Sequence, residues 1–142
     1  MSLVFDSSAL LVMLRNEAGA EFVEGLLDDA DVPKYIHAAN LCEIFYRVLR
    51  DSDYATAEIS VAALLSARIQ ERADFDGAFW RDVAALIADR RRERKPLAFG
   101  DACGVALARR LNADFVTADH AEMDAIDKAG AARILFVRGV VA

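Results

Sequence analysis

Cysteine and histidine are both scarce in this chain, and each scarcity narrows the chemistry that is available to it. The two cysteines, Cys42 and Cys103, are too few and too far apart for a disulfide scaffold or a zinc site. We expect both to be reduced, buried thiols that pack as small hydrophobic groups. The two histidines, His37 and His120, are expected to be packing or rim residues rather than catalysts.

Long hydrophobic runs and an excess of basic residues are also absent. No segment approaches the ~20 apolar residues that span a bilayer, and the start, MSLVFD, lacks the regions of a signal peptide. A cytoplasmic protein without membrane attachment is therefore expected. The 17 basic residues are outnumbered by 23 acidic ones, which gives a net charge of −6. This charge argues against broad, nonspecific attraction to nucleic acid, although a local basic patch remains compatible with it.

The chain does contain enough apolar sequence for a full hydrophobic core. Hydrophobic residues make up 56% of 142 residues, which predicts one domain over residues 1–142. Strand-like segments alternate with helical ones, and this order indicates a parallel sheet covered on both faces. The predicted fold class is therefore α/β, a three-layer α/β/α arrangement. A helical hairpin is expected as an insertion between the second strand and the later ones.

Local signals predict several helix boundaries. Ser8 and Asn40 have side chains that can cap a helix, and the helix after Asn40 is expected over residues 41–50. A single long helix is predicted over residues 54–72, with an extended piece at 73–75 after it. Asp101 is expected to open a further helix, anchored by the free amides of its first turn.

Acidic residues follow the predicted strands or the helices that come after them. Asp6 stands directly after the apolar strand LVF, and Asp119 stands directly after FVTA. Asp101 lies at the start of a helix in AFGDACGVALA, and Glu43 lies one turn into another helix in NLCEIFYRVL. Because parallel strands end at one edge of a sheet, all four carboxylates are expected there, where open α/β sheets bind ligands.

Gathering carboxylates in one crevice has an electrostatic cost. Two like charges about 5 Å apart repel by roughly 3 kcal/mol at an effective dielectric constant of about 20. Protons or cations must relieve several such pairs, and a hard divalent ion with oxygen ligands does so. The sequence therefore favours Mg²⁺ or Mn²⁺ over zinc. Taken alone, Asp6 and Asp101 are also interpreted as helix caps and Asp119 as an ordinary turn residue.

Four segments together carry a resemblance to a known family. The stretches LVFDSSALL, NLCEIFYRVL, FGDACGVALARRLNADFVTAD and ILFV occur in this order across almost the whole chain. In order and spacing they resemble a PIN-domain protein, and more narrowly the small VapC-type toxins of bacterial toxin–antitoxin pairs. The resemblance implies a PIN-like fold with a central parallel sheet and a Mg²⁺- or Mn²⁺-dependent endoribonuclease. It further implies a homodimer and a cognate antitoxin that blocks the pocket.

The resemblance also assigns roles to individual residues. The family's acidic residues correspond to Asp6, Glu43, Asp101 and Asp119. Its small polar residue after the first aspartate corresponds to Ser8, and its hydroxyl beside the last acid corresponds to Thr117. Asn40 matches a polar position expected to orient the glutamate. One departure is that His120 and Ala121 follow the last aspartate where many relatives have another acid, and Glu122 is the candidate replacement.

Cations that contact RNA are expected to flank such an acidic pocket. The candidates are two arginines after Glu43 and the dense basic run DRRRERK, namely Arg47, Arg50, Arg90, Arg91, Arg92 and Arg94, with Lys95 closing the run. An equally good interpretation of the run is a solvated helix end whose cations complement the helix dipole.

Two other function classes remain open from the sequence. A phosphatase of the haloacid dehalogenase type also begins with a strand and an aspartate, but it needs a second aspartate where this chain has Ser8. A catalytically silent PIN-fold binding module is the other alternative. Metal binding and RNA cleavage distinguish the three.

Overall fold

The centre of the molecule is a parallel sheet, seen in a computed structural model that describes residues 1–139. Its strands are β1 (Leu3–Phe5), β2 (Lys34–His37), β3 (Ile69–Arg72), β4 (Asp114–Thr117) and β5 (Ile134–Phe136). They pair in the order β3-β2-β1-β4-β5, and every pairing is parallel. The chain builds outward from β1 to β3 on one side and then crosses to β4 on the other. The point of reversal lies at the carboxyl ends of β1 and β4, where such sheets leave a crevice.

Within residues 1–139, seven helices connect the strands. They are α1 (Ser7–Leu14), α2 (Ala20–Asp28), α3 (Ala38–Asp51), α4 (Tyr54–Ser66), α5 (Gly77–Arg92), α6 (Phe99–Leu111) and α7 (His120–Lys128). The expected helical hairpin is α3 and α4, which pack on each other between β2 and β3. Across residues 1–139, none of the helices has the length and apolar character needed to traverse a bilayer.

Two hydrophobic cores lie on opposite faces of the sheet. Leu3 and Phe5 of β1 face a core shared with α1, α2 and α3, whereas Val4 faces a core shared with α5, α6 and α7. This alternation is the two-residue period of a strand covered on both sides. The predicted three-layer α/β/α fold is confirmed.

The prediction of one helix over residues 54–72 is wrong over residues 67–72. The helix α4 ends at Ser66, and Arg68 takes a left-handed conformation with φ of 67°. Residues 69–72 then form β3, the edge strand that pairs with β2. No strand occupies 73–75 in the described chain. Only Ile69 of β3 is fully buried, so the strand carries too few apolar residues to be distinguished from a helix end by pattern.

The predictions that Ser8 and Asn40 cap helices and that Asp101 opens one are wrong, because these three helices begin earlier than expected, whereas the alternative of Asp6 as a helix cap is confirmed. Ser8 and Asn40 lie inside α1 and α3, whose N-caps are Asp6 and His37. The first residue outside α6 is Ala98, which makes no side-chain cap, and Asp101 lies within the first turn. The polar side chains are therefore free for contacts between elements.

The expectation of two buried thiols holds for only one of them. Cys103 is buried in α6, whereas Cys42 is exposed on α3. Burial follows the face of the helix, because Leu41 and Ile44 of α3 face the core while Cys42 lies between them in sequence.

Candidate active site

The carboxylates predicted from the sequence lie at the crevice beside β1 and β4. Asp6 follows β1 directly, and Asp119 follows β4 after one intervening residue. Asp101 enters from the first turn of α6, close enough for the charges of Asp6 and Glu43 to act on it. The structure thus brings together four acids that are far apart in sequence. Asp6 caps α1 and Asp119 caps α7, so the positive ends of two helix dipoles face this group.

Asp6 is held by three donors on its two carboxylate oxygens. The Ser8 hydroxyl donates to Oδ1 at 2.8 Å, the Ala9 amide donates to Oδ1 at 2.9 Å, and the Thr117 hydroxyl donates to Oδ2. Its side chain is only 1% exposed. A carboxylate offers about four acceptor positions, so three donors leave roughly one for a further ligand.

Ser8 and Thr117 link Asp6 to the segment that carries Asp119. Each hydroxyl uses its single proton on Asp6 and accepts a backbone amide with its oxygen. The Ala118 amide donates to Ser8 at 2.9 Å, and the Asp119 amide donates to Thr117 at 3.0 Å. The two hydroxyls therefore fix the ends of β1 and β4 relative to each other. Neither role is that of a helix cap.

A second group of carboxylates lies within metal-binding distance of one another. Oxygen atoms of Asp101, Asp119 and Glu122 all lie within 4.8 Å of each other. The amide of Glu122 donates to Asp119 Oδ1 at 3.2 Å, which draws the two residues together. Glu122 Oε2 is buried and has no hydrogen-bond partner among the described residues. Glu122, the uncertain replacement acid of the sequence pattern, thus joins the site as a potential ligand.

The pKa values of two acids, Asp6 and Asp101, are raised in this site. Burial raises the pKa of Asp6 to about 6, even though its three donors lower it. Burial likewise raises the pKa of Asp101 well above its usual range, and contact with Glu122 and the charges of Asp6 and Glu43 raise it further. Without a cation, the site therefore holds protons that ordinary carboxyls would have lost.

These donors fit a hard divalent cation. The set is composed of carboxylate oxygens, and one of them, Glu122 Oε2, is buried without a partner among the described residues. Oxygen ligands without thiolates or imidazoles favour Mg²⁺ or Mn²⁺. The residues that would hold the ion are Asp101, Asp119 and Glu122, with Asp6 beside them.

Glu43 approaches the site from α3. Its Oε2 pairs with Arg47 Nη2 at 2.9 Å along that helix. Asn40, which was expected to orient Glu43, instead donates from Nδ2 to the carbonyl of Gly100 at 3.1 Å. Asn40 therefore ties α3 to the start of α6, at the residue directly before Asp101. Its Oδ1 is buried and has no partner among the described residues.

A cavity of about 660 Å³ opens beside Asp119. Its lining among the described residues contains the acids Asp119 and Asp124, the hydroxyl of Ser8, and the cations Arg47, Lys95, Lys128 and Arg138. Lys128 and Arg138 were not singled out by the sequence patterns. The only signal for them was their position near Asp119 and near the last strand.

Most of the arginines proposed from the sequence lie outside this cavity wall. Arg50 pairs with Asp51, and Arg92 pairs with Asp89. Arg90 is largely buried and pairs with Glu93 at 3.3 Å. Arg91 and Arg94 are exposed at and just beyond the end of α5, which agrees with the interpretation as a solvated helix terminus. Among these candidates, Arg47 lines the cavity, and Lys95 at the end of the basic run lines it too.

Comparisons with known proteins agree with this architecture. The PIN-domain family model matches residues 3–129 of the chain. A comparison with curated protein sequences found no match. The structure of VapBC-1 from nontypeable Haemophilus influenzae superposes with a TM-score of 0.72 at 16% identity, over 96% of this chain and 98% of that chain.

Two further solved structures show the same fold at similarly low sequence identity. VapBC2 from Rickettsia felis, bound to a DNA fragment from their promoter, gives a TM-score of 0.73 at 14% identity, over 96% of this chain and 98% of that one. VapC20 from Mycobacterium tuberculosis, described as a sarcin-ricin loop cleaving toxin, gives a TM-score of 0.68 at 16% identity, over 87% of this chain and 94% of that chain. At these identities, the likeness establishes the fold.

Proposed function

Because this chain belongs to the PIN-domain family, we propose that it is a metal-dependent endoribonuclease and the toxin of a toxin–antitoxin pair. The observation that carries the proposal is the group formed by Asp101, Asp119 and Glu122, with their oxygens within 4.8 Å of one another beside buried Asp6. The reaction would be hydrolysis of an RNA phosphodiester. The relative from Mycobacterium tuberculosis, described as a toxin that cleaves the sarcin-ricin loop, supports this substrate class.

A divalent cation bound by these acids would supply an activated water and neutralise charge on the scissile phosphate. The chain's own residues position it. Ser8 and Thr117 hold the Asp6 carboxylate in one orientation, so that the direction of its remaining acceptor position is fixed. Glu43 would complete the ligand shell or orient the attacking water, and its ion pair with Arg47 holds its carboxylate in place.

Arg47 and Lys95 are the best-supported candidates for contact with the RNA backbone. Both line the cavity beside Asp119. Their charges offset the repulsion that a phosphodiester meets at a cluster of carboxylates. The remaining arginines of the basic run are less well placed for this role.

An antitoxin that covers this pocket and a homodimer complete the proposal. The solved relatives named VapBC from Haemophilus influenzae and Rickettsia felis belong to paired systems, which supports a protein partner for this chain. A cationic side chain of the antitoxin would pair with the same carboxylates that hold the cation. The phosphatase alternative has no support, because Ser8 stands where its second aspartate is needed and bonds to Asp6 instead.

Replacement of Asp6 by asparagine tests the proposal directly. Mutating a residue that hydrogen-bonds a metal ligand typically lowers metal affinity or activity by about 10–100-fold. Removing the charge of a ligand itself should therefore reduce metal-dependent RNA cleavage by at least about 100-fold. The measurement is cleavage of a labelled single-stranded RNA in Mg²⁺ and in Mn²⁺, with circular dichroism as a check of the fold. Asp31→Asn, at an exposed loop residue, is the matched control. Undiminished cleavage by Asp6→Asn would refute the assignment, and a wild-type chain that neither binds metal nor cleaves RNA would favour the silent module.

A further inference from the structure

Arg138 is a cation on the cavity wall whose donors are largely unused by residues 1–139. Its nearest acid within this range is Glu17, with Nη1 3.7 Å from Oε1, which is too far for a hydrogen bond. Its Nε is buried and has no partner among the described residues. Leaving a buried donor of a charged group unpaired is costly. Because the Arg138 side chain is 30% exposed and its Nη1 lies 3.7 Å from Glu17, its terminal Nη groups are the donors left to an anionic ligand in the open cavity.

The backbone that carries Arg138 is held firmly in position. His120 Nε2 donates to the carbonyl of Arg138 at 2.8 Å, and the His120 ring stacks on Phe136 with centroids 3.9 Å apart. On the other side, Gly19 approaches so closely that a Cβ there would lie 2.7 Å from the carbonyl oxygen of Val137. These contacts fasten the segment after β5 to α7 and to the start of α2. The guanidinium is therefore presented to the cavity by the fold itself.

This arginine lines the same cavity as Asp119, one of the proposed catalytic acids. Lys128 of α7 lies on the same wall, and Arg47 and Lys95 also line the cavity. A volume of about 660 Å³ is within the range of pockets that enclose a small organic ligand. A strand of RNA with one phosphate at Asp119 would therefore pass through the cavity that Arg138 also lines. The planar guanidinium can donate two parallel hydrogen bonds to phosphate oxygens, which gives orientation as well as charge.

We infer that Arg138, with Lys128 lining the same cavity, binds the backbone phosphate that adjoins the scissile one and so sets the path of the RNA through the pocket. This inference rests on the proposed function, because it takes RNA as the ligand. It assigns to the segment after β5 a substrate-positioning role that none of the sequence motifs indicated.

The test is equilibrium binding of a fluorescein-labelled single-stranded RNA, followed by fluorescence anisotropy in EDTA over a series of salt concentrations. Without metal the RNA stays intact, so binding is read independently of cleavage. Arg138→Gln should weaken binding at low salt by about tenfold and reduce the slope of log affinity against log salt by about 0.7. Arg68→Gln is the control, because Arg68 is an exposed cation at the opposite edge of the sheet, just before β3.

A second variant guards against a trivial loss of folding. Arg138→Lys keeps the charge but not the planar fork, so it should keep the salt slope and lose part of the affinity. Equal binding by Arg138→Gln and Arg68→Gln would overturn the inference, as would a wild-type chain that does not bind the RNA at low salt. Unchanged RNA binding with a weakened antitoxin complex would also overturn it and assign Arg138 to the protein interface. If Arg138→Gln loses affinity as expected but the wild type does not cleave in Mg²⁺, the phosphate contact stands and the nuclease assignment fails.

Discussion

Asp6 combines burial, negative charge and hydrogen bonding in a single side chain. It is almost fully enclosed, yet three donors stabilise its ionised form. Burial dominates, since the pKa of Asp6 is raised to about 6 from 3.8. A shift of this size is worth about 3 kcal/mol, and it opposes ionisation in the folded state. The residue is therefore suited to a site in which a cation takes the place of the proton.

This shift predicts how the stability of the metal-free protein depends on pH. An unfolded aspartate has a pKa of about 3.9, so between that pH and about 6 the folded chain binds more protons than the unfolded one. The contribution of Asp6 to the free energy of unfolding is therefore fully present below the unfolded pKa and is lost as pH rises through its folded pKa, and Asp101 extends the loss to higher pH. Thermal unfolding in EDTA should show a Tm that decreases from about pH 5 to about pH 8. The expected decrease is about 2–4 °C for each kcal/mol lost from the free energy of unfolding.

The Asp6→Asn variant isolates the contribution of Asp6 to that decrease. Its Tm should depend less on pH than that of the wild type, because asparagine does not titrate. Asp31→Asn, at an exposed position, should retain the wild-type dependence. A wild-type Tm that stays level across this range in EDTA would contradict the raised pKa.

At the scale of elements, the approach of α6 to β4 is closer than a side chain on the helix allows. A Cβ at Gly104 would lie 2.6 Å from Cε1 of Phe115 and 3.1 Å from Nδ2 of Asn40. Glycine in mid-helix is unfavourable by itself, but here it lets α6 pack directly on the sheet. The same approach sets the distance between Asp101 on α6 and the end of β4.

Gly104→Ala should therefore destabilise the protein although alanine is the better helix former. Overpacking against Phe115 costs about 1–3 kcal/mol, which exceeds the gain of up to about 1 kcal/mol in helix propensity. Gly25→Ala is the matched control, because Gly25 lies within α2 and a Cβ added there would meet no described atom within 4 Å, so it should raise stability slightly. Urea unfolding of the two variants measures both effects. Equal stabilisation by both would contradict the prediction and show that the Phe115 ring moves to accommodate the extra methyl group.

The elements also show where sequence patterns are informative and where they are not. The buried strand β1 and the helix α6 were predicted well, because each carries a long enough apolar pattern of its own period. The edge strand β3 was missed, since its pairing with β2 and not its composition makes it a strand. Helix starts were misplaced for a similar reason, because an N-cap is defined by backbone geometry as much as by residue type.

At the scale of the whole molecule, the fold assembles a negative pocket with a positive wall in a chain that is acidic overall. Carboxylates from residue 6 to residue 122 meet only in the folded state. A cation that binds this group consequently binds the folded chain and not the unfolded one. Metal binding and folding stability are therefore linked.

Mn²⁺ or Mg²⁺ should raise the Tm of the wild type at about pH 8 in proportion to the logarithm of its concentration. At about 100 times the dissociation constant the gain is about 2.7 kcal/mol. Glu122→Gln should reduce the gain, because Glu122 Oε2 has no other partner among the described residues. Glu24→Gln, at an exposed residue of α2, should leave the gain in Tm unchanged. A wild-type Tm that rises with neither ion would contradict a metal site.

The sequence by itself determined the alternation of strands and helices and the positions of the acids that follow them. These features depend on neighbours within a few residues, so the local pattern contains them. Only the tertiary structure decided that Glu122 meets Asp101 and Asp119, that Asn40 joins α3 to α6, and that Arg138 reaches the pocket. The reason is that each of these contacts depends on how separate elements dock, to within an ångström or two, and no short stretch of sequence carries that distance.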